Sequence, residues 1–268
     1  MGVLNVTPDS FSDGGQFVDH AAALAQAKLM IAGGAQVIDI GGESTRPGAK
    51  RVSVEEEKRR VLGVLQSLKE SSEILVSVDT MNSETASAAM EAGADFINDV
   101  SGGLADPKMF ATVAKGKAKY ILGHWRGHSD NMDKLAQYEN VAREVVAELS
   151  EQVAMAVAAG ISRDRIIVDP GLGFAKDMGH NWELVARLDE LEKLGLPILV
   201  GASRKRFLAG ALDPGDPASV SMPRRDVATA VLTAILLQRK IWGLRVHNVE
   251  ATADAISVVA ALKNAEQS

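Results

Sequence analysis

The sequence predicts an α/β fold, an eight-stranded parallel β/α (TIM) barrel forming a single domain over residues 1–268, and three observations lead there. Short apolar runs alternate eight times with Ala- and Leu-rich stretches at helical spacing, the rhythm of parallel strands joined by crossover helices. The runs are almost continuously apolar, as strands buried on both faces must be. The runs recur every ~33 residues, and the chain is close to the roughly 250 residues usual for such a barrel. A doubly wound open sheet is the alternative, but no Gly-x-Gly-x-x-Gly turn follows the first run.

Taken in order, Val3-Leu4 is the first run, and Asn5 opens a polar loop that reaches Gly15. Either this strand begins the chain or residues precede it. Residues 19–33 have helical spacing and stop at Gly33-Gly34, a C-terminal signal. Val37-Ile-Asp-Ile40 is a buried run with one acid in it, and a second polar loop runs from Gly41 to Gly48. Ser53-Val-Glu-Glu56 is a capping-box pattern opening a helix to about Lys69. The strand over 74–78 ends at Asp79-Thr80, with a helix from about Ser83 to a stop at Gly93. The strand over 95–100 turns at Ser101-Gly-Gly103, and that over 119–123 leads into His124-Trp-Arg-Gly127 and a polar loop to about Tyr138. A helix covers 139–159, and Arg165-Ile-Ile-Val168 is a strand followed by Asp169-Pro-Gly-Leu-Gly-Phe174. One helix spans 181–194, then Pro197-Ile-Leu-Val200 feeds Gly201-Ala-Ser-Arg-Lys205 and a helix beginning at Arg206. Residues 213–223 hold three of the eight prolines and form a candidate mobile loop. A helix over 225–239, a strand over 242–247 and a helix over 250–264 complete the chain.

Composition narrows the function. Hydrophobic residues make up 46% and aromatics 4%, so aliphatic side chains fill the core. The net charge of −6, with no basic block, argues against a nucleic-acid partner. The absence of cysteine excludes disulfides, zinc–thiolate sites and thiol nucleophiles. No apolar run approaches the ~18 residues of a membrane span, and no basic region precedes an apolar one as in a signal peptide. The expectation is a soluble, cytoplasmic protein.

Active sites of such barrels lie at the C-terminal ends of the strands. Those ends read Asn5, Asp39 with Glu43 beyond it, Asp79, Asn98 with Asp99, His124 with Arg126, Asp169, Ser203 with Lys205, and Arg245 with His247. A single acid at a strand end caps or turns the chain. Eight polar ends converging on one mouth, mixing acids, amides and cations, suit a polar heterocycle plus an anion.

Gly2-Val-Leu-Asn-Val-Thr-Pro-Asp-Ser-Phe-Ser-Asp-Gly-Gly15 resembles the first signature of the dihydropteroate synthase family, and Ile38-Asp-Ile-Gly-Gly-Glu-Ser-Thr-Arg-Pro-Gly48 resembles the second. Ser77-Val-Asp-Thr80, Ile97-Asn-Asp-Val100, Val168-Asp-Pro-Gly-Leu-Gly-Phe174, Gly201-Ala-Ser-Arg-Lys205 and Arg245-Val-His247 match in order and spacing. The resemblance runs from Met1 to the last helix. It implies the barrel fold and an enzyme of folate biosynthesis, a sulfonamide target, that joins dihydropterin pyrophosphate to 4-aminobenzoate and releases pyrophosphate.

The same resemblance implies site roles. Asp169 would take the amino and ring N–H edge of the pterin, Asn98 an adjacent edge, and Lys205 the carbonyl, with Phe174 as a wall and Asp79 at the ring. Arg245 would stack on the ring or reach the phosphates. Asp79 would stabilise positive charge that spreads into the pterin as pyrophosphate leaves. His247, Arg245 and Thr45 would hold the pyrophosphate, and Asn5 would contact Mg²⁺. Phe11, Thr45, Arg46 and Pro47 would wall the 4-aminobenzoate pocket, its carboxylate on the helix start at Arg206. Independently of the resemblance, the two polar loops, about 5–17 and 42–52, are too long to be simple connections and are expected to fold over the bound pyrophosphate and complete that pocket. A homodimer through the outer helices 225–239 and 250–264 is also implied.

Some residues keep two readings. Asp39 is either a buried acid tying the loops together or a direct ligand. His124 is either a core histidine or a proton carrier. Asp9 and Asp13 either add to the metal site or cap turns. Arg204 is expected in a structural ion pair. Two positions depart from the family: Gly123 stands where a Met is common, loosening the pocket floor unless Trp125 compensates, and Asn248 stands where an Asp is usual. A pterin-binding methyltetrahydrofolate methyltransferase is disfavoured by the intact Thr45-Arg46, Ser203-Arg-Lys205 and Arg245-Val-His247. A catalytically degenerate paralogue would have lost parts of the first two loops, which are intact.

Overall fold

The computed structural model describes residues 1–6, 15–43, 52–128 and 132–266, without the side chains of 15–19 and 133. Eight parallel strands occur among them: β1 (Gly2–Asn5), β2 (Val37–Gly41), β3 (Leu75–Asp79), β4 (Phe96–Asp99), β5 (Lys119–Gly123), β6 (Ile166–Asp169), β7 (Leu199–Val200) and β8 (Gly243–Leu244). The first six pair in sequence order and β7 pairs with β8. The parallel bridges Val168↔Ile198 and Gly2↔Val246 close the ring. Backbone bonds from Val168 N to Pro197 O and from Val3 N to Val246 O, both 2.9 Å, carry that closure. A closed ring leaves no strand edge unpaired.

Helices follow the strands on the outside: α1 (Gly15–Ala32), α2 (Val54–Ser71), α3 (Ser83–Glu91), α4 (Met109–Lys115), α5 (Val141–Ala158), α6 (Met178–Ala186), α7 (Leu188–Glu192), α8 (Arg206–Leu212), α9 (Met222–Leu236) and α10 (Val249–Glu266). Period-two alternation divides the strand residues between two cores. Ile38, Ile40, Val76, Val78, Ile97, Leu122 and Val168 face outward and pack with helix residues such as Ala23, Val61, Leu65 and Leu149. Val37, Phe96, Ile121, Ile167 and Leu199 face the axis and form a separate cluster that plugs the barrel. The next inward residues on β4 and β6, Asn98 and Asp169, therefore lie toward the mouth.

Local chemistry explains where the elements depart from expectation. Half of the expected capping box forms: Ser53 Oγ accepts from Glu56 N at 3.3 Å, while the Glu56 carboxylate instead binds Arg59 and Arg60. The single helix expected over 181–194 is two, breaking at Arg187, and α6 starts earlier because Asp177 and His180 form a capping box there. The ninth helix begins three residues before the expected Arg225, with Pro223 in its first turn, where a missing N–H does no harm. The last strand is shorter than expected because Arg245 N turns to Val200 O and Val246 N to Met1 O, bridging two neighbours.

Candidate active site

The mouth is organised around one guanidinium. Arg245 donates from Nε to Asp39 Oδ2 at 2.6 Å and from Nη2 to Asp79 Oδ2 at 2.7 Å. Asn98 Nδ2 donates to the same Asp39 oxygen at 3.2 Å. Strand register makes this possible, because Asp79 lies beside Gly41 on one side and Asn98 on the other. Asp39 is fully buried one layer deeper. Its partners are Arg245 and Asn98 rather than the polar loops: it fixes both side chains from below. Burial pushes the Asp79 carboxyl up to about 7; Arg245 pulls against it, while Asp39 adds to the rise. Burial works against the Arg245 cation, but Asp39 and Asp79 outweigh it and raise it above its ordinary value.

The opposite wall comes from β6 and β7. Asp169 accepts from Gly171 N at 2.7 Å through Oδ1, and burial raises its carboxyl, with Lys205 opposing. Lys205 donates to Leu172 O and lies 4.9 Å from the centre of the Phe174 ring. Burial pushes this ammonium down to about 8, against the pull of Asp169. A methyl group built on Gly201 would lie 3.4 Å from Asp169 Oδ2 and 3.9 Å from Lys205 Nζ. The two charged groups therefore flank one open spot. Gly173, with φ +77, sits under the Lys205 stem, where an added Cβ would be 3.0 Å from Cδ.

The rim holds the remaining candidates. His247 Nδ1 faces Ser203 Oγ at 3.1 Å, and its backbone N donates to the same oxygen at 3.2 Å. Arg206 is exposed at the start of α8. Asn5 Oδ1 and the Asp79 side chain flank the bare face of Gly41. Among the described residues no three His, Asp or Glu side chains gather as a metal centre. The donor set present, one amide oxygen beside a carboxylate, fits a hard cation held mainly by phosphate and water. Phe11, Thr45, Arg46 and Pro47, with Asp9 and Asp13, lie outside the described residues.

Several expectations resolve. Arg204 forms a bidentate pair with Asp226 at 2.6 and 2.8 Å. Asp99 does not join the mouth: it faces outward and accepts from Tyr120 Oη, Ser101 and Gly103 N, fixing the β4 turn. His124 is fully buried, bonded to Glu148 and Lys176, which is the core reading. Gly123 leaves no gap, since a Cβ there would come within 2.7 Å of Val100 O; the turn after β4 packs against it. Asn248 accepts from Ala251 N at 3.1 Å, an N-cap that Asn performs as well as Asp. Sequence reasoning missed Lys176, Glu148 and Tyr138, none of which sits at a strand end. A lysine inside an otherwise apolar Gly-Phe-Ala-Lys run was the available signal.

The comparisons with known proteins agree with this geometry. Residues 1–247 match the family described as pterin binding enzyme. A dihydropteroate synthase of Mycobacterium leprae is 46% identical over 97% of this chain and 92% of its own length. Among solved structures, Xanthomonas albilineans dihydropteroate synthase with 4-aminobenzoic acid superposes with a TM-score of 0.89 at 40% identity, covering 98% of this chain and 92% of that one. The same enzyme in complex with 7,8-dihydropteroate gives a TM-score of 0.86 at 38% identity, with coverage of 98% and 92%. The chain belongs to the pterin binding enzymes and, within them, to the dihydropteroate synthase family.

Proposed function

We propose that the protein catalyses the dihydropteroate synthase reaction, joining 6-hydroxymethyl-7,8-dihydropterin pyrophosphate to 4-aminobenzoate and releasing pyrophosphate. The observation that carries this reading is the convergence of Asp79, Asn98, Asp169, Lys205 and Arg245 on one barrel mouth. Residues 1–268 act as one pterin-binding domain. A pterin presents an amino group, a ring N–H and a carbonyl, and needs carboxylate acceptors and a cationic donor in return. Asp169 meets the amino edge, Asn98 the neighbouring edge, Lys205 the carbonyl, and Phe174 covers the slot.

The C–O bond to pyrophosphate breaks as a C–N bond to the amine of 4-aminobenzoate forms, and the amine proton is released. Positive charge on the pterin is countered by Asp79, whose carboxylate form that charge favours. Arg245 holds Asp79 in place and turns its remaining N–H groups to the leaving phosphates, beside His247 and Thr45. Magnesium bound at the pyrophosphate would neutralise its charge, with Asn5 as the protein contact. The carboxylate of 4-aminobenzoate rests at Arg206, and Phe11, Arg46 and Pro47 wall its ring. The protein is read as cytoplasmic and as a homodimer, the dimer supported by the exposed stripe of Val227, Val231 and Ile235 on α9 beside Ile256 and Leu262 on α10.

The test mixes the protein with dihydropterin pyrophosphate, 4-aminobenzoate and Mg²⁺ and measures dihydropteroate. Product that requires every component is expected. Tight pterin binding with no product would replace the reading by that of a non-catalytic pterin binder.

A further inference from the structure

Lys176 is a buried amine that the proposed reaction does not use; burial, with the nearby Lys205 charge adding to it, pushes this group down to about 7. It lies on the segment between β6 and α6, with 7% of its surface exposed. Its Nζ is 2.9 Å from His124 Nδ1, 3.1 Å from Gly171 O and 3.1 Å from Phe174 O. In its charged form this amine has three protons, one for each of these acceptors. Two of the three are carbonyls of the segment that forms the pterin wall.

The third acceptor is held in place from behind. Burial, aided by the Lys176 charge, pushes His124 down to about 4, so the ring is neutral. Its Nε2–H faces Glu148 Oε2 at 2.9 Å, leaving the Nδ1 lone pair for Lys176; this tautomer follows from the partners. Glu148 is gripped by Arg126, and the Arg126 guanidinium lies 3.8 Å over the Tyr138 ring. Tyr138 Oη in turn donates to Ala175 O at 3.0 Å. The network thus reaches three carbonyls of one short segment, Gly171, Phe174 and Ala175.

That segment needs holding. Gly171, Gly173 and Ala175 all have positive φ, at 64°, 77° and 45°, and the alanine is strained there. On its other face, Leu172 O accepts from Lys205, and the Phe174 ring lies beside that ammonium. A shift of the segment therefore moves both a wall of the slot and the lysine that meets the pterin carbonyl.

We propose that Lys176 is a positioning residue for pterin binding: its ammonium, propped by His124, fixes the Gly171–Phe174 segment and through Leu172 O and Phe174 sets where Lys205 meets the ring. The proposal rests on the pterin reading of the site. It assigns no chemical step to Lys176, so its removal weakens pterin binding and leaves turnover at saturation intact.

The experiment titrates the full-length protein and Lys176→Met with 6-hydroxymethyl-7,8-dihydropterin pyrophosphate alone, then measures steady-state kinetics with 4-aminobenzoate. Pterin affinity is expected to fall about tenfold, one charge-assisted hydrogen bond's worth. The kcat and the KM for 4-aminobenzoate should stay within about threefold. Unchanged pterin affinity in a folded variant overturns the proposal, as does an equal loss in kcat with affinity kept. If Lys176→Met does not fold, Lys176→Gln is titrated instead: its shorter, uncharged side chain loses the His124 contact and the charge, so pterin affinity should fall by about threefold, and an affinity equal to that of the wild type overturns the proposal. A wild-type protein that binds pterin but makes no dihydropteroate sinks the synthase reading, while the binding titration still decides the role of Lys176.

Discussion

The two walls of the mouth hold their cations by different means. On the β2–β3–β8 side, Arg245 is clamped between two carboxylates, Asp39 and Asp79. On the β6–β7 side, Lys205 and Lys176 are held by backbone carbonyls of a loop with three positive-φ residues. On the first wall strand register sets Asp79 beside Asn98, and Asp39 lies on the neighbouring strand. The second depends on a loop that must itself be held, by Lys176 and Tyr138. The leaving group needs fixed charge, and ring recognition needs a fitted slot; each wall suits one task.

Four expected outcomes break or sharpen this contrast. The largest is in catalysis. Asp79→Asn and Lys205→Ala should each lower the rate of dihydropteroate formation by about 10³-fold, with far-UV circular dichroism unchanged; near-normal rates would remove those two residues from the mechanism. The next is in stability. Arg245→Ala strands the buried Asp39 charge and should lower the unfolding free energy by roughly 3–5 kcal/mol, against about 1 kcal/mol for Lys205→Ala. Denaturant titration measures both, and adding Asp39→Asn to Arg245→Ala should recover much of the loss.

A smaller effect is expected from Gly173→Ala. The new Cβ would take a left-handed φ and press on the Lys205 stem, costing about 1 kcal/mol and weakening pterin several-fold by titration. The smallest is a shift in pH dependence. Asp79 has a raised pKa of about 7, so its carboxylate is present above that pH and is lost as pH falls through it; kcat/KM should fall on the acid side accordingly. Asp39→Asn removes one of the charges that raise it, so the acid limb should move to lower pH. A limb that stays put would mean that another group controls it.

The barrel was legible because parallel β/α units write their pattern twice, in apolar runs and in helical spacing. The first wall was legible as well: Asp79, Asn98 and Arg245 sit at strand ends, where the fold itself brings side chains to one mouth. Asp39 kept two readings because a sequence shows that an acid lies within a strand but not that a guanidinium from the far end of the chain neutralises it. The second wall was only half legible. Asp169 and Lys205 were found at their strand ends, but Lys176 lies seven residues beyond Asp169, and its partners His124 and Glu148 come from two other elements. Gly123 misled for a related reason, since whether a missing side chain leaves a gap depends on how closely the neighbouring turn packs.

The most direct measurement is a crystal structure of the protein with dihydropterin pyrophosphate bound. One pterin should lie between the walls, its amino edge on Asp169, the neighbouring edge on Asn98, its carbonyl on Lys205 and its phosphates toward Arg245 and His247, with the Lys176–His124 contacts kept. A pterin bound outside the mouth, or one that leaves Asp169 and Lys205 without contact, would contradict the account.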